Sequence, residues 1–200
     1  MKRVLARGFT LVELLIVIGL LGAIALIVIA AINPIEQANR ARDARFKADA
    51  SQLLSAIERY YASHSSFPWE DCASCSADSQ DAFGFVTAKT ETVGLCGSSC
   101  ATGGILITSD ELKTEFLGRD WASVGATDAD EQIWIGKDQG TSTSVYACYI
   151  PLSKSAKEAA IKNLTVRTNS FTGEGIPNPG TCTTSSQDWM DSNCYVCVPE

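Results

Sequence analysis

Apolar and polar positions divide the chain into three stretches. From Phe9 to Ile32 run 24 residues in which Thr10 and Glu13 are the only polar side chains. At about 1.5 Å per residue such a helix is about 36 Å long, enough to cross ~30 Å of hydrocarbon. Beyond Pro34 the pattern changes to an amphipathic one: Phe46, Ala50, Leu53, Leu54, Ile57 and Tyr61 recur at helical spacing and mark one apolar face. Arg40, Arg42, Asp43, Arg45, Lys47, Asp49, Glu58 and Arg59 take the polar positions, expected as solvated surface or as contacts between subunits. Pro34 lacks an N–H, so it is expected to kink a rod of about 80 Å running from Phe9 to about Ser63. The Ser-rich "SHSSFP" then ends the helix.

After Pro68 the periodicities are short. Trp69 to Ala101 reads as a cysteine-rich loop and Gly104–Ile107 as a strand. Thr108-Ser109-Asp110-Glu111 matches a capping box opening a helix to about Leu117. Gln132–Gly136 and Ser144–Leu152 read as strands, the second strongest over Val145–Ile150. Ser155 and Glu158 match another capping box, for a helix to about Leu164, and Asn193–Val198 reads as a last strand. The expectation is an α+β chain: a long N-terminal helix packed against a small antiparallel sheet in a disulfide-rich distal domain. The divisions are a leader over 1–8, an apolar helix over 9–32, its amphipathic continuation over 33–66, and an extracytoplasmic domain over 67–200. No internal repeat is visible.

Charge and cysteines narrow the classes. The formal net charge is −7, and no basic cluster crosses the distal part. That argues against a stand-alone nucleic-acid binder and leaves open a basic groove made by assembly. All eight cysteines, Cys72, Cys75, Cys96, Cys100, Cys148, Cys182, Cys194 and Cys197, follow the apolar run. Downstream of an export signal an even set reads as disulfides, with 105 possible pairings. The rival is zinc, since Cys72-x2-Cys75 and Cys96-x3-Cys100 approach a four-thiolate spacing. It would make the chain a membrane-anchored extracytoplasmic domain with a zinc-cysteine site.

The start of the chain poses the sharper question. Lys2, Arg3 and Arg7 precede the apolar run, and Ala23-Ile24-Ala25 offers a signal-peptidase site. The apolar run continues past it to Ile32, so that cut would leave an apolar stub and Glu13 without a role. Basic residues flank the run on both sides, and the cysteines decide the orientation by placing the C-terminal part outside. A carboxylate within a spanning helix is costly, less so near the edge, and marks either a function or a charge that snorkels to the headgroups.

"GFTLVE" directly before an apolar helix resembles the processing site of type IV pilins and the related type II secretion pseudopilins. The likeness combines a short basic leader, Gly8 before the cut, Phe9 as new N-terminus and Glu13 as fifth mature residue. It covers Met1 to about Pro68; the distal domain varies in that family. It implies cleavage between Gly8 and Phe9 by a prepilin peptidase, N-methylation of Phe9, and retention of the whole apolar helix. Losing three of the 16 basic side chains leaves 13 against 23 acidic ones, a formal charge of −10. The resemblance also implies that Glu13 of one subunit pairs with the Phe9 amine of a neighbour and sets the register of a filament. A buried amine and carboxylate are each costly alone and tolerable together. Small residues, among them Gly22, allow close helix approach, and family helices lose regularity around Gly22 inside a filament. Gly22 and Pro34 join Phe9 and Glu13 as assembly residues.

Little else points to chemistry. His64 is the single histidine and has no nucleophile arrangement beside it. Asp128, Asp130 and Glu131 suit calcium by ligand type but lack an EF-hand spacing, so a solvated acidic turn is expected. No phosphate loop occurs, and the Asn163 sequon matters only in a eukaryotic secretory route. The expectation is a structural subunit and no enzyme, without cofactor or metal. Its partners would be copies of itself, the prepilin peptidase, the pilus assembly machinery, and the membrane before assembly.

Overall fold

The computed structural model describes residues 8–31, 33–71, 83–98, 100–123, 125–140, 144–163, 166–167, 182–183, 186–192 and 194–199. It divides into two compact units, Met1–Ala38 and Asn39–Glu200.

The first unit holds helix α1, Leu11–Ala31, and the opening of helix α2, Pro34–His64. Over Leu11–Ile29, α1 is long and apolar enough to cross a membrane, a test that a signal sequence also passes. The described side chains from Phe9 to Ile29 are all exposed. Pro34 does not interrupt a helix. It is the first residue of α2, where a missing N–H costs nothing. Asn33 caps that start: its Oδ1 accepts from Glu36 N at 3.3 Å and its carbonyl from Gln37 N at 3.2 Å. The expected kink is therefore a stop and a restart.

In the second unit α2 supplies one wall of the core. Phe46, Ala50, Leu53, Leu54 and Ile57 are buried, as the helical spacing requires, but the last fully buried ring is Tyr60, and Tyr61, expected on that face, is only partly covered. Among the described residues five strands follow: β1 (Phe83–Thr87), β2 (Trp134–Lys137), β3 (Val145–Tyr149), β4 (Val166–Arg167) and β5 (Tyr195–Val198), ordered β1-β2-β3-β5-β4. Every pair is antiparallel. Alternation along β3 sorts two clusters. Val145, Ala147 and Tyr149 pack with α2, while Cys148 belongs to a second cluster with Trp189, Tyr195 and Cys197. In the first cluster rings stack in series, Tyr61 on Phe67 at 4.3 Å, Phe67 on Trp69 at 4.6 Å and Trp69 on Phe83 at 4.2 Å.

Several local expectations are corrected. β1 lies inside the stretch read as a loop. "GILI" forms a helical turn, α3 (Ile105–Thr108), because Gly104 N and Leu106 N are taken by the carbonyls of Leu95 and Gly94. Leu106 and Ile107 thereby go into the core side by side, which a strand's alternation would forbid. Thr108 does not cap a helix ahead of it: its hydroxyl donates back to Gly104 O and Ile105 O. The next segment, Thr114–Gly118, is a 3-10 turn. Helix α4, Lys154–Lys162, is capped by Ser153 and not Ser155, with Ser153 Oγ accepting from Ala156 N at 3.3 Å. A short helix α5, Ser186–Asp191, precedes β5.

Candidate functional site

The N-terminal segment has a defined geometry. Gly8, Phe9 and Thr10 are non-helical and exposed, Phe9 to 80%. The helix starts at Leu11 because Thr10 and Glu13 close a reciprocal capping box. Glu13 N donates to Thr10 Oγ1 at 3.2 Å, and Glu13 Oε2 accepts from Thr10 N at 3.0 Å and from Thr10 Oγ1 at 2.9 Å. Thr10 joins Glu13 in this segment, and Thr-x-x-Glu before an apolar run is the sequence signal for the box. Glu13 thus has a local role in the lone chain. Gly22 lies within α1, and a Cβ there would meet nothing within 4 Å.

Six of the eight cysteines lie among the described residues. They form three disulfides: Cys96–Cys100, Cys148–Cys197 and Cys182–Cys194. Cys72 and Cys75 lie outside the described residues. The bond between Cys96 and Cys100 takes two thiolates from the zinc quartet, and no group of three metal-binding side chains occurs among the described residues. Cys148 and Cys197 face each other across the β3–β5 ladder, so the register itself brings them together.

Two carboxylates of α2 depart from expectation. Asp43 and Asp49, read as surface or subunit contacts, are 5% and 6% exposed. Asp43 accepts from Leu152 N at 2.9 Å and Ser153 N at 2.8 Å, holding the approach to α4. Arg42 stands beside it at 3.3 Å, donates to Ile150 O at 3.2 Å and to Asp130 O, and lies 4.0 Å over the Phe46 ring. Burial lowers the Arg42 pKa, and the charges of Asp43, Asp130 and Glu131 oppose that shift. Asp49 accepts from Trp121 Nε1 at 2.9 Å and pairs with Arg119 at 3.6 Å. Such carboxylates are tolerated because their oxygens are filled by donors.

His64 is exposed and stacks on Tyr60 at 4.1 Å, with Nδ1 2.8 Å from Ser63 Oγ. Tyr60 donates to Asp71 at 2.8 Å, and Ser66 donates to the same oxygen at 2.6 Å. Burial and then this bond push the Tyr60 pKa up to about 12, while the hydrogen bonds from Ser66 and Tyr60 lower that of Asp71. Asp130 and Glu131 fall on a 3-10 turn, Ala129–Glu131, and Asp128 immediately precedes it. The Asn163 sequon runs beyond the described residues.

The sequence matches no protein-family model, and no curated protein or solved structure shows significant similarity to it.

Proposed function

We infer that this chain is the precursor of a type IV pilin or pseudopilin-like subunit, cut between Gly8 and Phe9 and assembled into an extracytoplasmic helical filament through α1. The observation that carries the reading is the junction itself: Gly8-Phe9, exposed and outside the helix, four residues ahead of the single charged side chain of an apolar helix whose described face has no partner. The apolar helix suits a membrane anchor or signal sequence, and the disulfides are compatible with an extracytoplasmic location. Before assembly α1 would lie in the membrane; afterwards the α1 helices of neighbouring copies would cover one another.

The capping box adds a second explanation for Glu13, and one pair of substitutions separates the two. Glutamine serves in a capping box as well as glutamate, so Glu13→Gln keeps the helix start and loses the charge. Glu13→Ala loses both. Loss of a cap costs roughly 0.5–2 kcal/mol, whereas breaking one side of a buried ion pair costs ~3–5 kcal/mol. Coexpressed with a prepilin peptidase and assembly machinery, the wild type should give long filaments whose subunit mass corresponds to N-methyl-Phe9 at the N-terminus. Both variants should be cut and accumulate in the membrane but build few filaments. Normal filaments from Glu13→Gln would reduce Glu13 to a cap, and a mature N-terminus at Leu26 would overturn the subunit reading.

A further inference from the structure

Two features of the second unit remain without a role, and they lie on opposite flanks of α2. The first is a groove of about 340 Å3 between α2 and α4. Arg40, Ala44 and Lys47, spaced i, i+4, i+7, form its α2 wall, and Arg40 and Lys47 are exposed. Ser155, Ala156 and Ala159 form the α4 wall. Small side chains leave the groove open, and cations stand at both ends of one wall. Asp43 at the floor is committed to Arg42 and to two backbone amides.

The second is the acidic turn Asp128–Glu131. Its backbone is clamped by side chains from elsewhere. Gln132 Nε2 donates to Thr127 O at 2.8 Å, Trp134 Nε1 to Ala129 O at 3.2 Å and Arg42 to Asp130 O. Glu131 N closes the turn on Asp128 O at 3.0 Å. Asp128 and Glu131 are exposed. A rigid projection loses little freedom on docking. At 100° per residue Arg42 lies about 170° around α2 from the mean direction of Arg40, Ala44 and Lys47, so the turn and the groove occupy different sides of the helix. Adjacent residues tie both in place: Arg42 holds the turn and Asp43 holds α4.

We propose that the groove between α2 and α4 receives the acidic turn Asp128–Glu131 of a second copy of this chain, Arg40 and Lys47 meeting Asp128 and Glu131. The proposal rests on the filament reading above. Charge complementarity selects the occupant, because the chain carries an excess of acid and offers it here as a clamped turn opposite a cationic groove. A groove on one flank and its complement on another make a heterologous contact, which repeats without closing when the rotation per step does not close a ring. That is the contact a helical filament needs between its globular units, in addition to its helices.

Charge exchange tests it in the full-length chain under assembly conditions. Arg40→Glu with Lys47→Glu, and separately Asp128→Lys with Glu131→Lys, should each lower filament yield by roughly tenfold or more. The mature subunit should persist in the membrane with its disulfides formed. The four changes combined restore complementarity between copies and should recover most of the yield. Normal assembly by either reversed pair, or no recovery in the combined variant when its subunit folds and is cut, would overturn the groove contact while wild-type filaments left the subunit reading standing. Failure of the wild type to form filaments under those conditions would overturn both.

Discussion

Asp43 concentrates the residue-scale energetics. Its two oxygens serve two backbone amides and one guanidinium at a site 5% exposed. Asp43→Ala leaves the buried Arg42 charge without its nearest carboxylate and should cost ~3–5 kcal/mol, measured as a lower denaturant midpoint. Tyr60 gives a pH signature. An unfolded tyrosine ionises near pH 10, whereas native Tyr60 keeps its proton to about 12. The raised native value means its stabilising effect is complete below pH 10 and is lost as pH rises from about 10 to about 12. Absorbance titration should show one late phenol that Tyr60→Phe removes, and the same change should flatten the stability profile across that window. Asp71 has the opposite sign. Its lowered pKa stabilises the fold above the ordinary carboxylate range and ceases to do so as acid protonates it.

At the scale of elements, caps decide where helices begin. Local sequence favours Ser155 for α4 because Glu158 stands three residues on. In the fold Ser153 takes the cap, Asp43 reaches across from α2, and Glu158 pairs with Lys154 at 3.7 Å. Ser153→Ala should therefore cost about 1 kcal/mol and Ser155→Ala close to nothing in equilibrium unfolding. Equal effects would show that the cap is assigned to the wrong serine. The same principle acts at Thr10 and Asn33, where Thr-x-x-Glu and Asn-Pro-x-Glu open α1 and α2.

Across the second unit, the two faces of the sheet differ in what holds them. The face toward α2 is an aliphatic and aromatic core. The other carries a smaller cluster that contains Cys148–Cys197 and Cys182–Cys194, with sequence separations of 49 and 12. Chain-entropy reasoning gives these bonds about 4 and about 3 kcal/mol, and about 2 for Cys96–Cys100. Reduction should release the small cluster first. Hydrogen exchange under reductant should rise over α5 and β5, while the buried positions of α2 from Phe46 to Ile57 stay protected. Uniform loss of protection would show that the two faces unfold as one.

Much of this architecture was legible locally. The 24-residue apolar run, the amphipathic face of α2, and the strands around Trp134, Val145 and Tyr195 follow from periodicity, because burial on one side of an element imposes its own repeat. The disulfide character of the six described cysteines was equally legible. β1 was legible too, in the alternation of Phe83 and Phe85, but was hidden by the cysteines around it. Other features required the folded chain. "GILI" suits strand or helix by pattern, and the carbonyls of Gly94 and Leu95 chose the helix. Asp43 and Asp49 look like surface charges until their donors arrive from residues 119–121 and 152–153, far along the chain. Cys148 meets Cys197 only because β3 and β5 pair in one register. Periodicity reports how an element meets solvent, so the long helices and the strands around Trp134, Val145 and Tyr195 could be read from the chain alone; which distant groups meet depends on how elements pack, so only the folded chain settled the short turns such as "GILI", the partners of the buried charges and the pairing of the described cysteines.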